Sequence, residues 1–271
     1  MRGEADTEID PLKHPLAMFG LHRRTALLTG SSSGIGLALA RGFLAAGARV
    51  VLNGRDPEKL LRAQQALEAL APASGMVSSH GFDVTDPDAI AVAVQALESK
   101  LGGIDILVNN AGVTFRAPLD TYSNAQWQQV MRTNLDSAFY VARAVVPGMK
   151  ARGHGKIINM CSVLSESSRA GTAPYSASKG GLKMLTKGMA VDWARYGIQV
   201  NGIGPGYIQT EFTQALSGDP KFNDWLIDHT PAGRWGQVQD LVGAGIFLAS
   251  DASAFVNGHV LYVDGGLTAA L

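Results

Sequence analysis

Residues 29–36 read TGSSSGIG, and this stretch decides the fold. It follows a short apolar run at residues 24–29, typical of a buried strand, and precedes residues 36–46, whose apolar spacing is helical. A glycine-rich turn between a first strand and a first helix is typical of a dinucleotide site, although an ordinary serine/glycine turn is the alternative. Gly30 permits the tight turn, Gly34 lets the backbone approach a pyrophosphate, and Gly36 allows the helix to pack closely on the strand. The helix N-terminus adds N–H groups and a positive dipole end for phosphates.

The same alternation of apolar runs and helical spacing continues along the chain. It predicts strands at 49–53, 77–82, 104–108, 156–160, 198–203 and 259–263, and helices at 57–70, 87–101, 125–152, 175–195 and 238–249. Strands that alternate with helices indicate a parallel sheet covered on both faces, with right-handed crossovers. We therefore predict an α/β fold, with a single doubly wound domain over residues 23–271 and a seven-stranded parallel sheet. Residues 1–22 are polar and interrupted by prolines, which predicts a flexible N-terminal arm.

Composition limits the partners and the location. Lys plus Arg equals Asp plus Glu at 23 each, and this zero formal charge argues against nucleic acid as the main partner. The chain has no apolar stretch of about 18 residues, so no membrane span is predicted. Cys161 is the single cysteine, which we interpret as a small buried residue rather than a nucleophile, and the cytoplasm is the default location. The histidines show no ligand spacing, so no metal site is expected.

Tyr175 and Lys179 are four residues apart in a predicted helix, on the same face and about one turn from each other. The reference pKa of tyrosine is about 10, too high for a base at neutral pH, and a nearby positive charge lowers it. Lys179 is therefore expected to make Tyr175 a workable general acid/base. Ser162 lies just past the fifth predicted strand, where its hydroxyl can bond a substrate oxygen. Taken alone, a tyrosine and a lysine at this spacing are also common surface neighbours.

Several motifs together resemble the short-chain dehydrogenase/reductase family. TGSSSGIG at 29–36 resembles its glycine loop, NNAG at 109–112 its segment after the fourth strand, and YSASK at 175–179 its Y-x-x-x-K motif. Ser162, thirteen residues before the tyrosine, and Asn134 match its other catalytic positions. Pro205-Gly206 with Thr210 match its P-G-x-x-x-T segment, and Asp83-Val84 match the pair that meets the adenine. These motifs extend over residues 25–265, nearly the whole predicted domain.

The resemblance implies a Rossmann-type domain that works as an NAD(P)-dependent oxidoreductase on a small carbonyl or alcohol, commonly as a homotetramer. It implies a catalytic group of Asn134, Ser162, Tyr175 and Lys179, in which Asn134 fixes a backbone group or water that links Lys179 to solvent. Lys179 would also hold the nicotinamide ribose. The residues expected at the cofactor are Gly30, Ser32, Ser33, Gly34, Ile35, Gly36, Arg55, Asp83, Val84, Asn110, Ala111, Gly112, Tyr175, Lys179, Pro205, Gly206, Ile208 and Thr210.

The choice between NAD and NADP depends on residues 53–56, which read NGRD at the end of the second predicted strand. A carboxylate there usually binds the ribose 2′-hydroxyl of NAD, whereas an arginine accommodates the 2′-phosphate of NADP. Asn53 occupies the usual acid position and Arg55 follows it, so NADP is predicted, with Ser32 as a further donor. The alternative for Arg55 is a solvated loop residue. Asp56 is interpreted as the cap of the helix that begins at residue 57.

Residues 110–119, 189–197 and 230–236 resemble the branch of this family that interconverts 5-ketogluconate and gluconate, usually with NADP. Arg116 matches an arginine that meets the sugar-acid carboxylate there, and a charge-assisted contact suits that substrate. A rim or intersubunit position for Arg116 stays open. Ser162 and Tyr175 are the other expected substrate contacts. Residues 210–230 are predicted to form a lid over the substrate.

Three other functions remain as alternatives. The chain could reduce a 3-oxoacyl thioester, which would favour a basic patch for an acidic carrier protein, and no such patch is evident in the sequence. It could be a broad carbonyl reductase. It could also be a non-catalytic nucleotide-sensing protein on the same fold. A sensing protein should have lost part of the Ser/Tyr/Lys group, and this chain retains all of it.

Overall fold

The computed structural model describes residues 14–270, and a parallel sheet of seven strands forms its centre. The strands are β1 (Thr25–Leu28), β2 (Arg49–Leu52), β3 (Val77–Ser79), β4 (Ile106–Asn109), β5 (Gly155–Met160), β6 (Ile198–Pro205) and β7 (Val260–Val263). Their order across the sheet is β3-β2-β1-β4-β5-β6-β7, and every neighbouring pair is parallel. The predicted fold class and the predicted sheet are confirmed.

Helices cover both faces of this sheet. They are α1 (Gly34–Ala45), α2 (Pro57–Glu68), α3 (Pro87–Leu101), α4 (Asn124–Met131), α5 (Ser137–Arg152), α6 (Ala173–Trp193), α7 (Gln214–Ser217), α8 (Pro220–His229) and α9 (Val242–Ala249). Asp56 caps α2 by accepting hydrogen bonds from the backbone N–H groups of Glu58 and Lys59, both at 3.0 Å, as the sequence predicts.

The strands are apolar on both sides because each side contacts a different hydrophobic cluster. In β1, Ala26 and Leu28 belong to one cluster and Leu27 to the other, as the two-residue period of a strand requires. The first cluster includes Phe43 of α1, and the second includes Val145 of α5. All five side chains are fully buried. Each large apolar side chain buried in this way contributes roughly 1.5–3 kcal/mol to stability.

The strand order changes direction at β1, which has β2 on one side and β4 on the other. In a doubly wound sheet, this change leaves a crevice outside the carboxyl ends of the strands where ligands bind. The glycine-rich stretch follows β1, NNAG begins at the end of β4, and Ser162 comes just after β5. The topology therefore brings these three motifs to the same edge of the sheet.

A π-helical turn interrupts the helical stretch predicted at 125–152. It spans Arg132–Asp136, between α4 and α5. Single π-helical turns inside α-helices are frequent at functional sites, because the extra residue redirects a side chain. Here the turn contains the fully buried Asn134.

The flexible arm predicted at residues 1–22 lies partly outside the described residues, at 1–13. The remainder is mostly exposed and contacts the domain through Phe19 and Leu21. Pro15–Phe19 form a 3-10 helix, the Phe19 ring centroid is 6.3 Å from that of Phe247, and Leu21 is fully buried. Leu16 is 83% exposed and none of Pro15–Phe19 is buried, so the flexibility of this arm stays a prediction.

The predicted lid at 210–230 contains a 3-10 turn at Glu211–Thr213 followed by α7 and α8. Three of its apolar residues, Leu216, Phe222 and Leu226, form a small cluster with Trp235. Among residues 14–270, no helix is both long and apolar enough to span a bilayer.

Candidate active site

The glycine loop adopts a conformation that favours glycine at two positions. Gly30 has φ +59° and Gly34 has φ +57°, in the left-handed region that other L-residues rarely adopt. A Cβ on Gly36 would lie 2.6 Å from Asn110 Nδ2 and 2.7 Å from the Gly30 carbonyl oxygen, so the helix approaches the loop closely there. Ser33 precedes α1 without capping it through its side chain, and the first turn has no acidic residue. The helix N-terminus can therefore receive an anion.

The NNAG segment is hydrogen-bonded directly to this loop. Asn110 Nδ2 donates to the carbonyl oxygens of Thr29 at 3.0 Å and Gly30 at 2.8 Å. The Thr29 hydroxyl accepts from the backbone N–H groups of Asn110 at 3.0 Å and Ala111 at 3.1 Å. The two motifs consequently form one wall, and the position of each depends on the other.

At the end of β2, the side chains of Asn53 and Arg55 differ in their surroundings. Asn53 is fully buried, and its Nδ2 donates to the carbonyl oxygens of His80 and Phe82. Arg55 is two-thirds exposed, and its Nη1 lies 4.0 Å from Asp83 Oδ2. Because Asn53 is engaged by backbone groups, Arg55 is the side chain at this position that can turn toward a phosphate.

A cavity of about 500 Å³ runs along the crevice and joins the predicted cofactor and catalytic residues. Such a volume lies within the usual range for small-molecule sites. The predicted residues that line it are Gly30, Ser32, Ser33, Gly34, Ile35, Arg55, Asp83, Val84, Asn110, Ala111, Gly112, Arg116, Ser162, Tyr175, Lys179, Pro205, Gly206, Ile208 and Thr210. Gly36 and Asn134 do not line the cavity, but they contact Asn110 and Val113, which do. The described residues contain no cluster of three His, Cys, Asp or Glu side chains suited to a metal ion.

Ser162, Tyr175 and Lys179 converge on this cavity from the loop after β5 and from helix α6. The Ser162 oxygen accepts a hydrogen bond from the backbone N–H of Leu164 at 3.1 Å, so the hydroxyl proton can be donated elsewhere. Lys179 is buried, and its Nζ donates to the Met160 carbonyl oxygen at 2.6 Å. The same Nζ is 5.7 Å from the centroid of the Tyr175 ring.

The pKa values of these groups follow from burial. Burial raises the pKa of Tyr175 to about 12, while the Ser162 hydroxyl and the Arg116 charge act in the opposite direction. Burial lowers the pKa of Lys179 to about 8. Burial is the largest influence on the Tyr175 pKa, and its lowering by Lys179 stays a prediction. Burial also raises the pKa of Cys161 to about 11, which fits an inert, packed thiol.

Asn134 does not line the cavity but bonds the backbone of Val113, which does. Its Oδ1 accepts from the Val113 N–H at 2.8 Å, and its Nδ2 donates to the Val113 carbonyl oxygen at 2.9 Å. Nδ2 also lies 3.1 Å from Ser178 Oγ, which in turn donates to the Tyr175 carbonyl oxygen at 2.7 Å. Ser178 was missed in the sequence analysis, although its position inside Y-x-x-x-K is a signal that could have found it.

Arg116 lies in the cavity as predicted, and a second arginine that the sequence analysis missed lines it too. This is Arg169, whose guanidinium carbon is 4.5 Å from the centroid of the Phe222 ring. Burial and the charge of Arg169 lower the pKa of Arg116. Tyr207 also lines the cavity, and the charges of both arginines act on its pKa. No motif marks Arg169 or Tyr207 in the sequence.

A family model described as enoyl-(acyl carrier protein) reductase matches residues 30–268. With the doubly wound sheet and the converging Ser, Tyr and Lys side chains, this match shows that the chain belongs to the short-chain dehydrogenase/reductase family and is an oxidoreductase. The family expected from the motifs is confirmed.

Within the family, the chain is similar to enzymes of sugar-acid metabolism. It is 54% identical over 261 residues to a gluconate 5-dehydrogenase of Gluconobacter oxydans (strain 621H), covering 96% of this chain and 100% of the relative. It is 46% identical over 254 residues to a 5-keto-D-gluconate 5-reductase of Escherichia coli (strain K12), covering 94% and 99%. A crystal structure of a gluconate 5-dehydrogenase from Burkholderia cenocepacia J2315, in complex with NADP and tartrate, superposes with TM-score 0.92 at 53% identity and covers 95% and 100%.

Proposed function

We propose that this enzyme interconverts gluconate and 5-ketogluconate with NADP as its cofactor. The observation that carries the proposal is a single cavity that extends from the glycine loop, past Ser162 and Tyr175, to arginine side chains. The similarity to gluconate 5-dehydrogenases over nearly the whole chain supports the same reaction.

The residues around the glycine loop fit a dinucleotide phosphate. Two left-handed glycines and an uncapped helix N-terminus provide backbone N–H donors, and no acidic side chain in the first turn opposes an anion. Ser32 and Arg55 line the same end of the cavity and would hold the 2′-phosphate of NADP. Lys179 and Tyr175 would contact the nicotinamide ribose. The NADP in the similar Burkholderia enzyme supports this choice. When bound, the cofactor supplies or accepts the hydride.

The proton chemistry belongs to Tyr175. In reduction, its hydroxyl donates a proton to the substrate carbonyl oxygen, and in oxidation the phenolate takes the proton of the substrate hydroxyl. Ser162, whose oxygen already accepts from Leu164, donates a hydrogen bond to the same substrate oxygen and orients it, and it keeps its proton. Asn134 holds Val113 and Ser178, and it thereby positions the wall and the helix that present these groups.

Arg116 is the proposed contact for the substrate carboxylate. Its charge acts on the pKa of Tyr175, which supports a position close enough to bind the same small molecule. Tartrate, a hydroxy acid with two carboxylates, is bound by the similar Burkholderia enzyme, and this supports an anionic substrate.

A second candidate is the reduction of an acyl-carrier thioester, which the description of the matching family model favours. A screen of NADPH oxidation separates the two. We expect rapid turnover of 5-ketogluconate and little turnover of acetoacetyl thioesters or simple ketones. If an acetoacetyl thioester is the best substrate, the second candidate replaces the first. If no carbonyl compound is reduced, the proposed function is wrong.

Two further proposals concern assembly and closure. Exposed apolar side chains on α5 and α6, including Phe139, Met184 and Val191, support a homotetramer, which light scattering would test. The segment 210–230 is proposed to close over the substrate, and the Phe212 ring, 6.3 Å from that of Tyr175, supports this. A cytoplasmic location stays a prediction that cell fractionation would test.

A further inference from the structure

We propose that Arg169 and Arg116 form a two-arginine site for the carboxylate of the substrate, and that Arg169 makes the enzyme select sugar acids over neutral sugars. This inference rests on the proposed function and adds to it a residue that determines specificity. Both side chains line the cavity that holds Ser162 and Tyr175.

The donors of Arg169 are free to bind a ligand. Its Nε is buried and has no hydrogen-bond partner. Within residues 14–270, no carboxylate forms an ion pair with Arg169 or Arg116. A buried N–H without a partner costs free energy, and a carboxylate that draws the guanidinium toward the cavity would recover it.

The surroundings of Arg169 hold it in place while leaving its edge open. The Phe222 ring covers one face of the guanidinium at 4.5 Å, and Phe222 is itself fixed in the cluster with Leu226 and Trp235. The backbone is also held, because the Thr172 hydroxyl donates to the Arg169 carbonyl oxygen at 2.7 Å. Guanidinium N–H groups lie in the plane of the group, so a ring against its face does not block them.

The acidic side chains that line the cavity and the two arginines lie toward different ends of it. The acidic residues that line it have partners at the cofactor end: Asp56 caps α2, Asp83 lies near Arg55, and Glu211 pairs with Lys59 at 3.7 Å. At the other end, no carboxylate of residues 14–270 forms an ion pair with Arg116 or Arg169. Their mutual repulsion is relieved when an anion binds between them, which favours a carboxylate over a neutral hydroxyl.

The position of the two arginines suits the shape of the proposed substrate. Both line the same cavity as Tyr207, and the charge of each acts on the pKa of Tyr207. In 5-ketogluconate the carboxylate is separated from the reacting carbonyl by several carbons, so a carboxylate site apart from Ser162 and Tyr175 suits this substrate.

The test measures anion binding without turnover. Two ligands are titrated calorimetrically into the enzyme saturated with NADP, at fixed ionic strength. They are tartrate and erythritol, which is a neutral four-carbon counterpart of tartrate. The variants are Arg169→Met and Arg169→Lys, with Lys150→Met as the control, because Lys150 lies 4.3 Å over the Tyr196 ring outside the cavity. NADP affinity and the unfolding temperature are measured for each variant.

We expect Arg169→Met to weaken tartrate binding about 10- to 100-fold and to lower kcat/KM for gluconate by a similar factor, which is typical of a lost charge-assisted hydrogen bond. Erythritol binding and NADP affinity should change less than about 2-fold. The tartrate affinity of Arg169→Lys should lie between those of the wild type and Arg169→Met. Lysine keeps the positive charge but loses the planar, paired N–H donors of the guanidinium. Lys150→Met should match the wild type.

Tartrate affinity within about 2-fold of the wild type in both Arg169 variants would assign Arg169 a packing role only and overturn the inference. So would a wild type that does not bind tartrate. If Arg169→Met does not fold, Arg169→Lys decides alone, with unchanged tartrate affinity counting against the inference. The proposed function can fail separately. If the wild type does not oxidise gluconate but the Arg169 variants still weaken tartrate binding, the anion site stands and the proposed substrate is wrong.

Discussion

Asn134 bonds both backbone groups of Val113: its Oδ1 accepts from the Val113 N–H at 2.8 Å, and its Nδ2 donates to the Val113 carbonyl oxygen at 2.9 Å. Val113 directly follows NNAG, whereas Asn134 lies in the π-helical turn before α5. Since Nδ2 also contacts Ser178, one carboxamide connects the NNAG loop, the π-helical turn and helix α6. The position of each segment therefore depends on a donor and an acceptor in the same side chain.

Asn134→Asp keeps the shape of the side chain but replaces the Nδ2 donor with an acceptor. We expect kcat to fall about 10- to 100-fold and stability to fall by about 1–3 kcal/mol, because buried polar groups lose their partner. Steady-state kinetics and urea unfolding measure the two effects. Asn124→Asp, on the exposed first turn of α4, is the control. Full activity in Asn134→Asp would remove Asn134 from the positioning role.

Tyr175→Phe removes the hydroxyl and keeps the ring that contacts Phe212. Losing a general acid/base lowers kcat by about 10²- to 10⁴-fold. NADPH binding, measured by fluorescence, should stay close to that of the wild type. Tyr196→Phe, on a half-exposed tyrosine away from the cavity, should leave kcat unchanged. A Tyr175→Phe enzyme with wild-type kcat would show that another group moves the proton.

Arg55→Ala tests the choice of cofactor. Because Arg55 is two-thirds exposed, its contact with a 2′-phosphate is partly screened, and we expect kcat/KM for NADP to fall by about 10-fold. The value for NAD should change little, since NAD has no phosphate there. Arg62→Ala, on the exposed face of α2, controls for loss of a surface charge. Equal losses with NADP and NAD would contradict a phosphate contact.

Lys156 is a second buried lysine, far from the cavity, whose Nζ donates to Ser253 Oγ at 3.2 Å. Burial lowers its pKa to about 8, whereas an unfolded lysine has a pKa of about 10.4. Between these values the unfolded chain binds more protons, so this group makes the protein more stable as pH rises from about 8 to about 10.4. Below pH 8, the buried charge destabilises the fold.

Lys156→Met removes that charge and keeps an unbranched side chain that is one atom shorter. We expect the variant to be more stable than the wild type by about 1 kcal/mol at pH 7, and this advantage to disappear near pH 10. Urea unfolding at the two pH values measures the difference. A constant difference between pH 7 and pH 10 would mean that Lys156 titrates normally in the folded protein.

The sequence predicts the fold and most of the cavity wall for a topological reason. The alternation of strands and helices makes the sheet parallel, and the carboxyl ends of parallel strands meet at one edge. Motifs that follow β1, β4 and β5 must then come together, which is why Gly30, Asn110 and Ser162 line one cavity.

Features that depend on distant packing are not predictable in this way. The spacing at residues 125–152 is compatible with one continuous α-helix, and nothing in it marks the extra residue of the π-helical turn. Arg169 lies in a loop without a motif, and its orientation depends on Phe222 in a later helix. The pKa of Tyr175 depends on how deeply its hydroxyl is buried, a quantity that the spacing of Tyr175 and Lys179 does not contain.

The π-helical turn at Arg132–Asp136 makes the site sensitive to chain length at one point. Successive residues of an α-helix are rotated by roughly 100° about its axis. Deleting a single residue between α4 and α5 would restore regular helical bonding, but it would also swing the Asn134 carboxamide away from Val113. A one-residue insertion or deletion, which a surface loop would tolerate, is therefore expected to disrupt the site when it falls between α4 and α5.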